Sequence, residues 1–136
     1  MGSVERVLAA GAVITDDAGR VLLVLRGQEP EKGCWSVPGG CAEPGETPAQ
    51  TARREAWEET GLHVEIGQEL WTVDVPTGDG RMFEIHDFAA TITAGTLTPG
   101  DDADDARWFA PDELTQVPLT TNLLDYLSRA GIVPAR

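Results

Sequence analysis

Between Gly40 and Leu62 the chain reads GCAEPGETPAQTARREAWEETGL, and six of those residues contain Arg54, Glu55, Glu58 and Glu59. On a helix, residues three and four apart are neighbours, so Glu55, Glu58 and Glu59 share a stripe and Arg54 reaches Glu58. Carboxylates this close repel by roughly 4 kcal/mol per pair at 4 Å and an effective dielectric of 20. Something positive must sit among them. Their oxygens are hard ligands, and no soft ligand with matching spacing accompanies them. Mg²⁺ or Mn²⁺ suits such a set, commonly bridging carboxylates to substrate phosphates. A cation so held can polarise a phosphoryl oxygen and activate water. The reaction class is hydrolysis of a phosphoanhydride or phosphoester. The plain alternative is a solvated helix face carrying an ordinary Arg54–Glu58 surface pair.

The flanking residues predict how that stripe is positioned. Thr47 suits an N-cap, Pro48 the first helical position and Gln50 the third residue of a capping box. Gly61 suits the residue that ends the helix. The spacing therefore predicts a helix over 48–60, with Ala49, Ala52 and Ala56 on one small-residue stripe that can sit close against a sheet. Before it, residues 7–15 and 21–25 are apolar runs around an Asp16–Gly19 turn, which together predict a hairpin buried on both faces. Residues 26–33 form a polar loop, 35–37 a short apolar piece, and Pro38-Gly39-Gly40 stops it. The adjacent glycines permit close backbone approach. After the helix, residues 63–75 and 82–93 predict a second hairpin with its loop near Gly78–Gly80. Residues 96–105 read as a polar loop, 107–109 as a short strand, 111–114 as a helical turn and 119–130 as a terminal helix ended by Gly131. The pattern is an α/β fold, a mixed sheet between helical layers.

Composition narrows the function. A chain of 136 residues with 41% hydrophobic content suits one domain spanning 1–136 with a packed core. The net charge of −13 leaves no basic face for a nucleic-acid polymer. It also means that an anionic substrate approaches the acidic stretch only with cations between them. No apolar run of membrane-spanning length and no signal peptide are present, so a cytoplasmic location is expected. Cys34 and Cys41 have neither a CxxC pair nor a histidine spacing for zinc, and read as reduced thiols.

The stretch resembles the signature box of the Nudix hydrolases, G-x5-E-x7-R-E-U-x-E-E-x-G-U, where U is aliphatic. Gly40, Glu46, Arg54, Glu55, Glu58, Glu59, Gly61 and Leu62 fall on its positions, with Ala56 merely small where U is expected. Gly33-x-Trp35-x-x-Pro38-Gly39-Gly40 is similar to the segment that commonly precedes the box. Arg107-Trp108-Phe109 with Asp112-Glu113-Leu114 is similar to the family's C-terminal strand and turn. The resemblance implies an α/β/α sandwich around a mixed β-sheet. It also implies Mg²⁺- or Mn²⁺-dependent hydrolysis of the diphosphate in a nucleoside diphosphate derivative.

By the same resemblance Glu55, Glu58 and Glu59 are the metal-ligand cluster, with Glu55 or Glu59 shifting a proton from the attacking water. Arg54 orients the glutamates, the Gly40 carbonyl is a further ligand, and Glu46 is an outer ligand or a brace. Asp102, in the Asp-rich run before Trp108, is the candidate for an additional ligand or base, against a solvated loop. The substrate is read less sharply. Arg26 and Lys32 are candidates to meet phosphates, Trp35 to stack a base, and His86 to touch a phosphate or base; a solvated, core or structural role is the alternative for each. ADP-ribose-like nucleotides come first and nucleoside triphosphates, including oxidised ones, second. The rival classes are a non-catalytic nucleotide sensor, which would not require intact glutamates, and an acidic interaction domain without Mg²⁺ response. The family resemblance also implies a homodimer through exposed β surface.

Overall fold

The computed structural model describes residues 4–100 and 103–134. Strand β1 (Arg6–Ile14) lies inside a four-stranded mixed sheet of order β4-β1-β6-β5, with β4 at Gly39–Cys41, β5 at Leu62–Pro76 and β6 at Met82–Gly95. β1 runs parallel to β6, placing Gly11 opposite Asp87, and antiparallel to β4, placing Ala10 opposite Gly40. A second, antiparallel sheet has the order β3-β2-β7, from Trp35–Ser36, Val21–Arg26 and Ala103–Phe109.

The expected hairpin of residues 7–15 and 21–25 does not form. The Asp16–Gly19 turn is made, with Gly19 N–H donating to Asp16 O and Asp16 N–H to Arg20 O. A single bridge, Thr15 to Val21, follows, and then the strands diverge into different sheets. Both runs are buried on two faces, and a strand without polar alternation can serve as the interior of its own sheet. The expected β5–β6 hairpin is present: Pro76 pairs with Met82 around the Gly78–Gly80 turn, and bulges interrupt β5 further along.

Alternation along β1 divides the core. Ala10, Ala12 and Ile14 join Leu22, Leu62, Val64 and Ala90 under Ala52 and Ala56 of helix α1 (Pro48–Thr60). Val13 faces the other way, into a cluster with Val21, Leu23, Trp35, Phe109 and Leu114 that is covered by Leu123 and Leu127 of helix α2 (Leu123–Arg129). Side chains on opposite faces of one strand thus meet opposite helices, which gives the α/β/α sandwich. Ala52 and Ala56 are fully buried against the alanines of β1, so the small-residue stripe does seat α1 close to the sheet.

Two element boundaries depart from expectation. The terminal helix begins at Leu123, not at 119, because residues 118–120 pair with Trp35. Trp35 N–H donates to Pro118 O and Thr120 N–H to Trp35 O, at 2.8 and 3.0 Å. Asn122, left-handed at φ 66°, then turns the chain into the helix. β7 begins at Ala103, so the polar segment before it is shorter than the 96–105 expected from its prolines, glycines and aspartates. The 111–114 turn is a 3₁₀ helix, Pro111–Thr115. Among the described residues no helix is long and apolar enough to cross a membrane.

Candidate active site

Helix α1 starts and stops where its sequence dictates. Thr47 Oγ1 accepts from Gln50 N–H at 3.2 Å, Gln50 Oε1 accepts from Thr47 N–H at 2.9 Å, and Gly61 ends the helix at φ 73°. Thr51 and Thr60 are buried polar side chains that stay satisfied. Thr51 Oγ1 donates to Glu46 Oε1 at 3.0 Å, and Thr60 Oγ1 donates to Ala56 O at 2.5 Å. With the helix seated by its alanines and fixed at both ends, the register of its charged stripe is set.

Arg54 is the hub of that stripe. Its Nε and Nη2 donate to the two oxygens of Glu46 at 2.7 and 3.0 Å, the fork geometry that matches guanidinium to carboxylate. Nη1 donates to Glu55 Oε1 and to Glu58 Oε2, both at 2.8 Å, and Nη2 also reaches Cys41 O at 3.0 Å. Glu43 lies 3.8 Å away. Glu46 additionally accepts from Glu43 N–H at 2.8 Å, so it ties the loop before the helix to the helix itself. Hydrogen bonds from Arg54 hold the Glu46 carboxyl down at about 2, and those from Glu46 push the Arg54 guanidinium above its ordinary range.

The glycines of β4 complete the arrangement. A Cβ on Gly39 would lie 2.7 Å from Ala10 O, so only glycine lets β4 pair this closely with β1. Gly39 N–H in turn donates to Glu59 Oε2 at 2.7 Å. A Cβ on Gly40 would lie 2.7 Å from the Glu55 carboxyl carbon; the missing side chain is the space that this carboxylate fills. Burial raises the Glu55 pKa above the ordinary carboxylate range, against the pull of Arg54. Glu55 is thus a more basic carboxylate than a solvated one.

Among the described residues no three His, Cys, Asp or Glu side chains converge as a ready metal cage; Glu55 and Glu58 lean on Arg54 and Glu59 on the Gly39 amide instead. The donor chemistry nonetheless fits a hard divalent cation. Glu55, Glu58 and Glu59 offer carboxylate oxygens from adjacent turns of one helix, beside a glycine strand that leaves room for Glu55.

The other candidates lie elsewhere. Arg26 Nε donates to Pro30 O at 2.7 Å within the β2–β3 loop, and Lys32 is exposed on the same loop with its backbone N–H on Glu29. Trp35 is core, 6% exposed, with its ring edge-on to Phe109 at 4.9 Å. His86 stands between two carboxylates, Nδ1 against Glu69 and Nε2 2.7 Å from Glu84. Asp102 falls outside the described residues. The sequence reading missed Thr51 as a partner of Glu46, the Gly39 amide as a partner of Glu59 and the Cys41 carbonyl as a partner of Arg54. Thr51 falls one helical turn after the Thr47 cap, which was a usable signal. The two backbone partners had none, because side-chain types do not encode which amide or carbonyl faces a helix.

Comparison with known proteins gives the family. A model of the NUDIX domain family matches residues 5–129. A "MutT-like protein" of Streptomyces ambofaciens is 34% identical over 128 residues, covering 92% of this chain and 79% of that one. An "ADP-ribose pyrophosphatase" of Methanocaldococcus jannaschii is 35% identical over 111 residues, covering 81% of this chain and 65% of that one. The crystal structure of a MutT NUDIX hydrolase from Burkholderia pseudomallei superposes with a TM-score of 0.80 at 32% identity, covering 91% of this chain and 97% of the other. The chain belongs to the Nudix family and is a Nudix hydrolase.

Proposed function

We propose that the protein hydrolyses the diphosphate linkage of a nucleoside diphosphate derivative, ADP-ribose-like nucleotides first, using Mg²⁺ or Mn²⁺ held by Glu55, Glu58 and Glu59. The observation that carries this reading is the gathering of Glu55 and Glu58 on Arg54, with Glu59 on the Gly39 amide, beside the Gly39–Gly40 strand. The M. jannaschii relative's name supports the choice of first substrate. When bound, the cation would neutralise the diphosphate and raise the electrophilicity of the attacked phosphorus. Gly40 packs against the Glu55 carboxylate, and its carbonyl is the proposed further oxygen donor.

The chain's own residues carry the rest. Glu55 or Glu59 accepts a proton from the attacking water. Glu59 is held in place by Gly39 N–H. Arg54 fixes Glu55 and Glu58 relative to one another, and Glu46 fixes Arg54. Glu46, already occupied by Arg54, Thr51 and the Glu43 amide, acts as a brace and not as a ligand.

The test is a panel of ADP-ribose, dinucleotide polyphosphates and nucleoside triphosphates, each with Mg²⁺ and with Mn²⁺, with products identified by chromatography. AMP and a sugar phosphate released from ADP-ribose is the expected result. Turnover confined to nucleoside triphosphates would move the preference to that class. No turnover of any member, with nucleotide binding retained, would make the protein a sensor.

A further inference from the structure

The C-terminal end of α1 has an electrostatic problem that the charged stripe does not solve. Aligned peptide dipoles leave partial negative charge at a helix C-terminus. Here that last turn also carries Glu58 and Glu59 and has no basic residue. The remedy comes from residues 95–100, a strap that leaves β6 and crosses the helix end on its way to β7. Thr98 N–H donates to Thr60 O at 2.7 Å, and Gly100 N–H donates to Glu59 O at 3.0 Å. With Gly61 N–H on Trp57 O, backbone amides take up the carbonyls of residues 57, 59 and 60.

The fit is tight. A Cβ on Gly100 would lie 1.9 Å from Glu58 O, 3.0 Å from Glu58 C and 3.2 Å from Glu59 Cα. All three are backbone atoms of the two glutamates, so nothing flexible can yield. At the other end of the strap, a Cβ on Gly95 would lie 2.4 Å from Gly61 O, and one on Gly61 2.8 Å from Thr96 O.

We infer that the strap is a positioning device for the carboxylate cluster and that Gly100 is its determining residue. Its missing side chain lets the strap clamp the backbone of Glu58 and Glu59, fixing the direction in which both side chains leave the helix. Ala103 N–H at the start of β7 donates to Gly100 O at 3.2 Å, so the strap also ties the helix to the second sheet. The inference rests on the proposed use of Glu58 and Glu59 as cation ligands. It predicts that a methyl group at Gly100 displaces the ligands without touching the substrate.

The experiment compares wild type, Gly100→Ala and Gly78→Ala. Gly78 has φ +94° at the far hairpin turn with nothing within 4 Å of a Cβ, so its substitution strains the backbone without crowding the helix. Mn²⁺ alone is the probe, followed by the loss of the free-ion EPR signal, with circular dichroism to confirm the fold. Gly100→Ala should weaken Mn²⁺ binding roughly tenfold or more and lower kcat by a similar factor, with KM for the nucleotide changed less than about twofold. Gly78→Ala should leave Mn²⁺ binding as in wild type. A folded Gly100→Ala protein that binds Mn²⁺ and turns over like wild type overturns the inference and leaves the proposed function standing. Wild type that binds Mn²⁺ but hydrolyses nothing removes the proposed function, and the strap is then still judged by Mn²⁺ affinity. Wild type that binds no Mn²⁺ removes both. Should Gly100→Ala fail to fold, amide exchange in wild type decides. Thr98 and Gly100 amides protected together with α1 support the clamp, and fast exchange of both over a protected helix overturns it.

Discussion

Two acidic clusters among the described residues differ in what balances them. Around α1, Glu43, Glu46, Glu55 and Glu58 all lie within 4 Å of one guanidinium, that of Arg54, while Glu59 leans on a backbone amide. Across the β5–β6 hairpin, Asp74 and Glu84 meet Arg6, and Glu84 and Glu69 meet His86. With His86 protonated the sheet cluster has two cations for three carboxylates and is close to neutral. The helix cluster keeps a surplus of several negative charges within a few ångströms. Carboxylate count alone does not separate a cation site from a structural network; the uncompensated surplus does.

The strongest way to break this contrast is to remove one charge from the surplus. Glu58→Gln keeps the shape of the side chain and its Arg54 contact through the amide oxygen, but gives up a hard anionic ligand. Turnover should fall at least about a hundredfold, with the circular dichroism spectrum unchanged. Near-normal turnover would take Glu58 out of the cation site. Arg54→Lys should come next. Lysine keeps the charge but cannot hold Glu46 with two parallel bonds while reaching Glu55 and Glu58. Loss of activity by about 10- to 100-fold is expected, through weaker Mn²⁺ binding measured by titration. Unchanged Mn²⁺ affinity would show that Arg54 braces the loop alone.

A lone carboxyl sharpens the comparison from a third side. Asp87 is 7% exposed, accepts from Trp71 Nε1 at 2.9 Å, and lies so close over Gly11 that a Cβ there would be 2.4 Å from its Oδ1. Burial, against the bond from Trp71, raises its pKa to about 6. A carboxyl raised in this way contributes stability below its ordinary unfolded value near 4. That contribution fades as pH rises through about 6. Asp87→Asn keeps an acceptor for Trp71 and removes the buried charge. The variant should therefore be more stable than wild type at pH 8, by roughly 3 kcal/mol at about 1.4 kcal/mol per pKa unit, and no more stable at pH 4. Urea denaturation at the two pH values reads the difference, and equal shifts at both would refute a charge-burial cause.

These regions were not equally legible in the sequence. Helix α1 was read with its limits, its cap and its stripe, because Thr47, Gln50, Gly61 and the alanines act within one or two turns of themselves. The β5–β6 hairpin was legible for the same reason, its turn glycines lying between the strands they join. The pairing of β1 was not: its parallel partner lies some seventy residues away, and two adjacent apolar runs look alike whether they form a hairpin or the interiors of two sheets. Residues 119–122 look helical by leucine spacing until Trp35 claims the backbone around Leu119. Asp87 and Gly100 carried no local signal, since each is defined by what the distant chain brings against it.

The smallest effect should come from the balanced cluster, and it completes the contrast. Burial opposes the charged ring of His86, yet the bonds to Glu84 and Glu69 outweigh it and raise its pKa. A raised histidine contributes stability fully below its unfolded value near 6.5 and loses that contribution as pH climbs through the folded value. The pairing is partly exposed and screened, so it is worth less than about 1 kcal/mol. His86→Gln should therefore cost a small increment of stability at pH 6 and none at pH 9, with turnover at pH 8 within about twofold of wild type. Urea titrations at the two pH values and one activity assay suffice. Loss of turnover comparable to that of Arg54→Lys would mean that His86 reaches the substrate, and the division into a balanced structural cluster and a surplus cation site would fail.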